Sequence, residues 1–140
     1  MAIKARSIIE IVGGPKEYVD QAMGIVIDKI QHDEKITLLN KKIFEAKQIG
    51  DNPLFSSFSE VDIEVRDIAD LFGFCFDFLP SSVEIYEPSS LSFKSESVND
   101  MLNELMSKLH QYDIAVKNIS AQNILLKRKY GQGDEEKKKE

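Results

Sequence analysis

The hydrophobic positions of this chain change period several times, and each change marks the start of a new element. Residues 5–12, ARSIIEIV, are short and rich in β-branched side chains and stop at Gly13-Gly14-Pro15, which predicts a strand closed by a turn. From Pro15 onward Val19, Ala22, Met23, Val26 and Ile30 recur at helical spacing, with Lys16, Glu17, Asp20, Gln21, Asp28 and Lys29 on the wet side. Gly24 inside this helix costs about 1 kcal/mol relative to Ala and predicts close packing there. In residues 35–49 the first half is expected to extend the helix or form an irregular lead-in, and the second half reads as a strand, with Ile43, Glu45, Lys47 and Ile49 on one face and Phe44, Ala46 and Gln48 on the other. Gly50-Asp51-Asn52-Pro53 is a turn. Residues 58–65, FSEVDIEV, alternate: Val61, Ile63 and Val65 point one way, Glu60, Asp62 and Glu64 the other, as in a half-buried antiparallel strand.

Residues 67–79 place Phe at 72, 74, 76 and 78, so a strand and a helix compete. The helix accounts for more. Ile68, Leu71, Phe72, Cys75, Phe76 and Leu79 form one stripe behind Asp67 as N-cap, and Phe74 and Phe78 form a second apolar flank that needs covering by the chain or by a partner. After Pro80, residues 81–88 read as a strand with Val83 and Ile85 inward and Glu84 and Tyr86 outward. The order β, α, β, β, α, β with right-handed crossovers most economically gives an α+β, ferredoxin-like sandwich over residues 1–93: a four-stranded antiparallel sheet with two helices on one face.

Residues 95–130 contain no Gly or Pro and predict one long C-terminal helix. Val98, Leu102, Leu105, Leu109, Tyr112, Val116, Ile119, Asn123 and Leu126 follow the alternating steps of a heptad, with Val98 at d, Leu102 at a and Asn123 at a. Lys108 at g and Asp113 at the following e have opposite charge. The expected use of this seam is a coiled coil, as a homodimer or with another protein partner; folding back on the sheet is the internal alternative. Residues 131–140, GQGDEEKKKE, lack apolar positions and predict a disordered charged tail.

Composition narrows the function classes. Of 140 residues 42% are hydrophobic and 30% charged, and the formal net charge of −6 opposes nonspecific binding to nucleic acid or anionic membranes. One cysteine precludes an internal disulfide framework, no apolar run approaches a membrane span, and the first residues do not read as a signal peptide, so a cytoplasmic location is expected. Gly13 and Gly14 before a helix N-terminus form a weak anion-site candidate without a P-loop or dinucleotide fingerprint. Glu10, Glu60, Asp62, Glu64 and Glu84 share an open face that Arg6, Lys41 and Lys47 can neutralise, a solvated or partner-covered surface more than a cation site. The same acidic positions oppose base stacking of the kind found in RNA-recognition motifs. Cys75 reads as a core residue, His32 and His110 are isolated, and Lys127, Arg128 and Lys129 complement a helix C-terminus. No catalytic residues, cofactor or metal are read from the chain.

Residues 61–91 resemble the end of the C-terminal extension of WYL-domain regulators, where a strand, a short amphipathic helix and an acidic V-E-I-x-E-P-x-x-L strand follow one another, here Val83 to Leu91. The resemblance implies a ferredoxin-like accessory domain used in ligand sensing and oligomer contacts; no winged helix or WYL domain proper accompanies it. The whole chain is similar to small uncharacterised archaeal proteins of this layout, which again implies the cytoplasm. Two functions are therefore carried forward. The first is a noncatalytic interaction or regulatory module working through Leu105, Leu109, Tyr112, Val116, Ile119, Asn123, Leu126, Phe74 and Phe78. The alternative is a small-molecule sensor or enzyme domain with a pocket near Gly13-Gly14 and the Phe74/Phe78 flank.

Overall fold

The computed structural model describes the backbone of residues 2–139 and the side chains of residues 2–130. Its elements are β1 (Ile3–Gly13), α1 (Lys16–Gln31), β2 (Thr37–Ile43), β3 (Lys47–Gln48), β4 (Phe55–Val65), α2 (Ile68–Phe78), β5 (Ser82–Glu87) and α3 (Ser95–Lys139). The chain divides into two compact units, Met1–Ser92 and Phe93–Glu140. The first is mixed α and β. Its five-stranded open sheet runs β2-β4-β1-β5, with β3 also on β4, and all pairings are antiparallel.

Parity along β1 and β4 decides which face is dry. Ile3, Ala5, Ser7 and Ile9 on β1 and Ser57, Ser59, Val61, Ile63 and Val65 on β4 are buried, and the intervening residues are half-buried or exposed. Against that face pack Met23, Ile27 and Ile30 of α1 and Leu71 and Phe74 of α2, closing one hydrophobic core with Ile36. The α1 stripe follows the expected spacing, with Ile27 added. Gly24 differs from expectation: a Cβ built there meets nothing within 4 Å, so the residue lies on the open side of the helix and no close packing requires it.

The strand expected over residues 43–49 is broken. Ile43 pairs with Ser59 and Lys47 with Ser56, so three residues on one side face two on β4. That one-residue excess reverses the parity, so Ile43 and Lys47 cannot share a face. The excess is accommodated by Ala46, which turns inward to 2% exposure and donates its backbone N–H to Asp20 Oδ1 of α1 at 2.8 Å. Ser57 Oγ donates to the Phe44 carbonyl at 2.8 Å, and Phe44 N–H donates to Phe58 O at 2.8 Å. The first half of the segment neither extends α1, which ends at Gln31, nor runs irregularly: Thr37–Ile43 pairs with β4 as β2, an edge strand. The following turn is as expected, with Gly50 at φ 53 and the Leu54 N–H donated to Asn52 Oδ1 at 3.3 Å.

α2 starts where expected, with Asp67 accepting from the Ala69 N–H at 3.4 Å. Its face is rotated from the expected one. Leu71 and Phe74 are buried, with Ile68, Cys75 and Phe78 packed beside them, while Phe72 and Leu79 face solvent. In a helix this apolar on every side two stripes are available, and the one that buries Phe74, its ring tilted 40° to that of Phe78 with centres 5.3 Å apart, faces the sheet. The chain itself therefore covers Phe74. Leu79 ends the helix in the left-handed region at φ 46, donating its N–H to the Cys75 carbonyl.

α3 runs from Ser95 to Lys139, past Tyr130 and into the stretch for which composition predicts a disordered tail; the side chains of residues 131–140 lie outside those described. Among the described residues no helix is long and apolar enough to cross a membrane.

Two substitutions check this packing. Phe74→Ala is expected to destabilise the fold by about 3–5 kcal/mol and Phe72→Ala by about 1 kcal/mol or less, read from urea midpoints; equal losses would reject the assigned α2 face. Gly24→Ala should raise stability by about 0.5–1 kcal/mol, whereas a loss would mean that something crowds that position.

Candidate functional site

The open face of the sheet carries the charges that the even positions of β1 and β4 bring together. Arg6 sits opposite Asp62 on one side and Glu84 on the other. Its Nε donates to Asp62 Oδ1 at 2.9 Å and its Nη2 to Oδ2 at 3.3 Å, Nε lies 3.1 Å from Glu60 Oε1, and the guanidinium stands 5.8 Å from the Tyr86 ring centre. Lys4 Nζ pairs with Glu87 Oε2 at 3.0 Å. Hydrogen bonds to these carboxylates push both cations above their ordinary values, Arg6 through Asp62 and Lys4 through Glu87. Glu10 accepts from Ser56 Oγ at 3.1 Å. Lys42, not the expected Lys41, completes the row: the register sets Lys42 opposite Glu60 and Lys41 opposite the buried Val61. The face is a lattice of largely exposed charges in which Arg6 is compensated by Asp62 and Glu60 and Lys4 by Glu87. Pairs of this kind add little stability, and among the described residues no three His, Cys, Asp or Glu side chains are grouped to hold a metal ion.

At one end of the same face the charges give way to apolar side chains. Phe44, Ile49 and Phe58, with Lys47, Gln48 and Ser56, line an open hollow of about 470 Å³ beside β3. Ile8 and Val12 are exposed on the diagonal positions next to Phe58. The signal for this patch was present in SIIEIV, where Ile8 and Val12 break the polar run of the outward positions. The hollow itself depended on the break at Ala46.

The Gly13-Gly14 candidate resolves into a turn. Gly13 closes the ladder opposite Phe55, and a Cβ on Gly14 would meet the Pro53 carbonyl at 3.5 Å. Tyr18 and Val19 donate their N–H groups to the Pro15 carbonyl. Lys16 at this helix start is held by Glu45 and, at 3.5 Å, by Asp20, and the Glu45 hydrogen bond raises its pKa. Two carboxylates thus already occupy the charge available there. Phe74 of the expected aromatic flank is closed into the core and offers no wall to a ligand, while Phe78 is half-buried beside it.

The heptad residues are displayed differently. Leu105 is half-buried, and Leu109, Tyr112, Val116, Ile119, Asn123 and Leu126 are all exposed, with Val116 at 60% and Ile119 at 58%. Indeed every described residue from Leu109 onward is exposed. Asp113 pairs with Lys117 one turn along at 2.9 Å. Lys127, Arg128 and Lys129 do not complement a helix end, since α3 continues to Lys139. His110 is exposed on this helix, and His32 caps α1 with Nδ1 2.8 Å from the Asp28 carbonyl.

Cys75 is half-buried beside the core, and burial pushes its thiol pKa up. A raised pKa lowers the thiolate fraction at any given pH, and the thiolate is the reacting form. Alkylation of Cys75 by iodoacetamide at pH 8 is therefore expected to run several-fold slower in the native protein than after unfolding in urea. Equal rates would show an open, activated thiol.

Neither the curated proteins nor the solved structures yield a match to the chain. The MJ0538 family model matches residues 4–138, which takes in both the sheet unit and nearly all of α3. That match supports the likeness to small archaeal proteins and adds nothing to the likeness of residues 61–91 to WYL-domain regulators. With almost its whole length matched, the chain belongs to the MJ0538 family.

Proposed function

We propose that the chain is a noncatalytic interaction or regulatory module, cytoplasmic in location, whose first unit is a ferredoxin-like sandwich and whose α3 mediates self-association. The sandwich reading is supported by the strand order β2-β4-β1-β5 and by two helices on one face, with β3 continuing the edge strand after its break. The observation that carries the functional reading is the exposed seam of α3. At about 1.5 Å per residue the 45-residue helix is roughly 68 Å long, and from Leu109 onward its described side chains are exposed. Most helical stability in proteins comes from burying an apolar face and not from propensity. Leu109, Tyr112, Val116, Ile119 and Leu126 supply that face at the spacing a partner helix fills.

The reading that competes with it, a small-molecule sensor or enzyme domain, needed Phe74 and Phe78 to face a pocket, and Phe74 is spent on the core. The charged lattice around Arg6 fits a recognition surface better than a catalytic one, because its groups are satisfied by one another in the open.

Sedimentation at tens of micromolar tests the proposal. The full chain is expected to sediment as an oligomer, and the double variant Val116→Asp/Ile119→Asp, altered only at exposed positions, as a monomer with unchanged thermal unfolding of the sheet unit. A chain truncated after Lys108 should also be monomeric. A monomeric full chain would reject self-association.

A further inference from the structure

We infer that the occupant of the α3 seam is a second copy of this chain, parallel and in register, with Asn123 meeting Asn123 across the pair. The inference rests on the reading of α3 as the self-associating element and adds orientation and number to it. The seam from Leu105 to Leu126 is about 30 Å long at helical rise, and Asn123 is its one polar member. In a parallel, in-register pair each a position meets the a position of its partner, so the two amides can each donate to the other. In an antiparallel pair a faces d, and Asn123 would be set against an apolar residue with its amide desolvated and unmatched. The cost of such a buried amide, roughly 1–3 kcal/mol, is what selects the register. A single buried Asn at a is also a feature that limits the helices to two.

The flanks of the seam favour the same orientation. Parallel pairing brings Lys108 at g toward Asp113 at the next e of the partner, a pair of opposite sign. Ala115 at g and Ser120 at e flank Val116 and Ile119 with small side chains, which lets the two backbones approach where the exposed seam is most apolar. Because each α3 follows its own sheet unit in sequence, a parallel pair starts both helices at the same end.

The test uses the full chain in a Cys75→Ser background carrying Leu126→Cys, a d position half exposed in the single chain. Disulfides require Cα atoms about 4–7 Å apart, which a parallel in-register pair provides and an antiparallel one, with the two residues 126 far apart, does not. The expected result is a two-chain species in sedimentation under reducing conditions and near-complete conversion to a covalent dimer under mild oxidation. Adding Asn123→Leu should tighten association and admit larger species. An oligomer that fails to cross-link at position 126, or a reduced species of three or more chains, overturns the parallel pair and leaves self-association standing. A monomer overturns both.

Discussion

The ladder between β1 and β4 is the constraint from which the rest of the first unit follows. It runs without interruption from Ile3 opposite Val65 to Gly13 opposite Phe55, and both strands are central in the sheet. A slip of one residue would invert one strand against the other, turning either Ile3, Ala5 and Ile9 or Val61, Ile63 and Val65 to water and bringing Lys4 and Arg6, or Glu60, Asp62 and Glu64, against the helices. Burying that many charges is prohibitive, so the register is fixed by what the wrong face would cost as much as by what the right one gains. The lattice of charges around Arg6 is thus the other side of the same selection. α1 and α2 have a single dry surface on which to dock, and their stripes converge there.

Where residues alternate or recur cleanly, the fold was legible. The alternation through residues 61–65, the helical spacing from Val19 to Ile30, the Asp67 cap and the turn at Gly50 each reported a local cause, and each stands in the structure. The misreadings have physical sources that a local pattern does not contain. β4 begins at Phe55, earlier than expected, because Ser57 and Ser59 occupy inward positions and read as polar, although both are buried. Ser57 is satisfied by the Phe44 carbonyl, while Ser59 Oγ has no partner among the described residues. The break at Ala46 is stabilised by Asp20, a residue on a different element, so nothing within residues 43–49 announces it. On α2 both stripes were apolar, so the residues of the helix did not by themselves choose between them.

The candidate surfaces divide along the same line. Heptad spacing is a property of the sequence, and the seam could be written down before any coordinate; that its later half is exposed could not. The acidic face was visible as a parity set, yet the basic residue completing its row is Lys42, because the register shift between Leu38 and Asn40 moves Lys41 to the other side. The apolar hollow at Phe44, Ile49 and Phe58 exists only because the chain departs from β4 and returns, bringing together side chains that an unbroken strand would have dispersed.

Those register shifts reach beyond the surface they shape. Both outer strands are irregular: β2 skips between Leu38 and Asn40, and the β5 ladder skips between its pairings with Lys4 and Ala5. A kinked margin studded with Lys41, Lys42, Glu84 and Glu87 makes a poor template for an incoming strand. Two copies meeting edge to edge would therefore gain little from strand pairing.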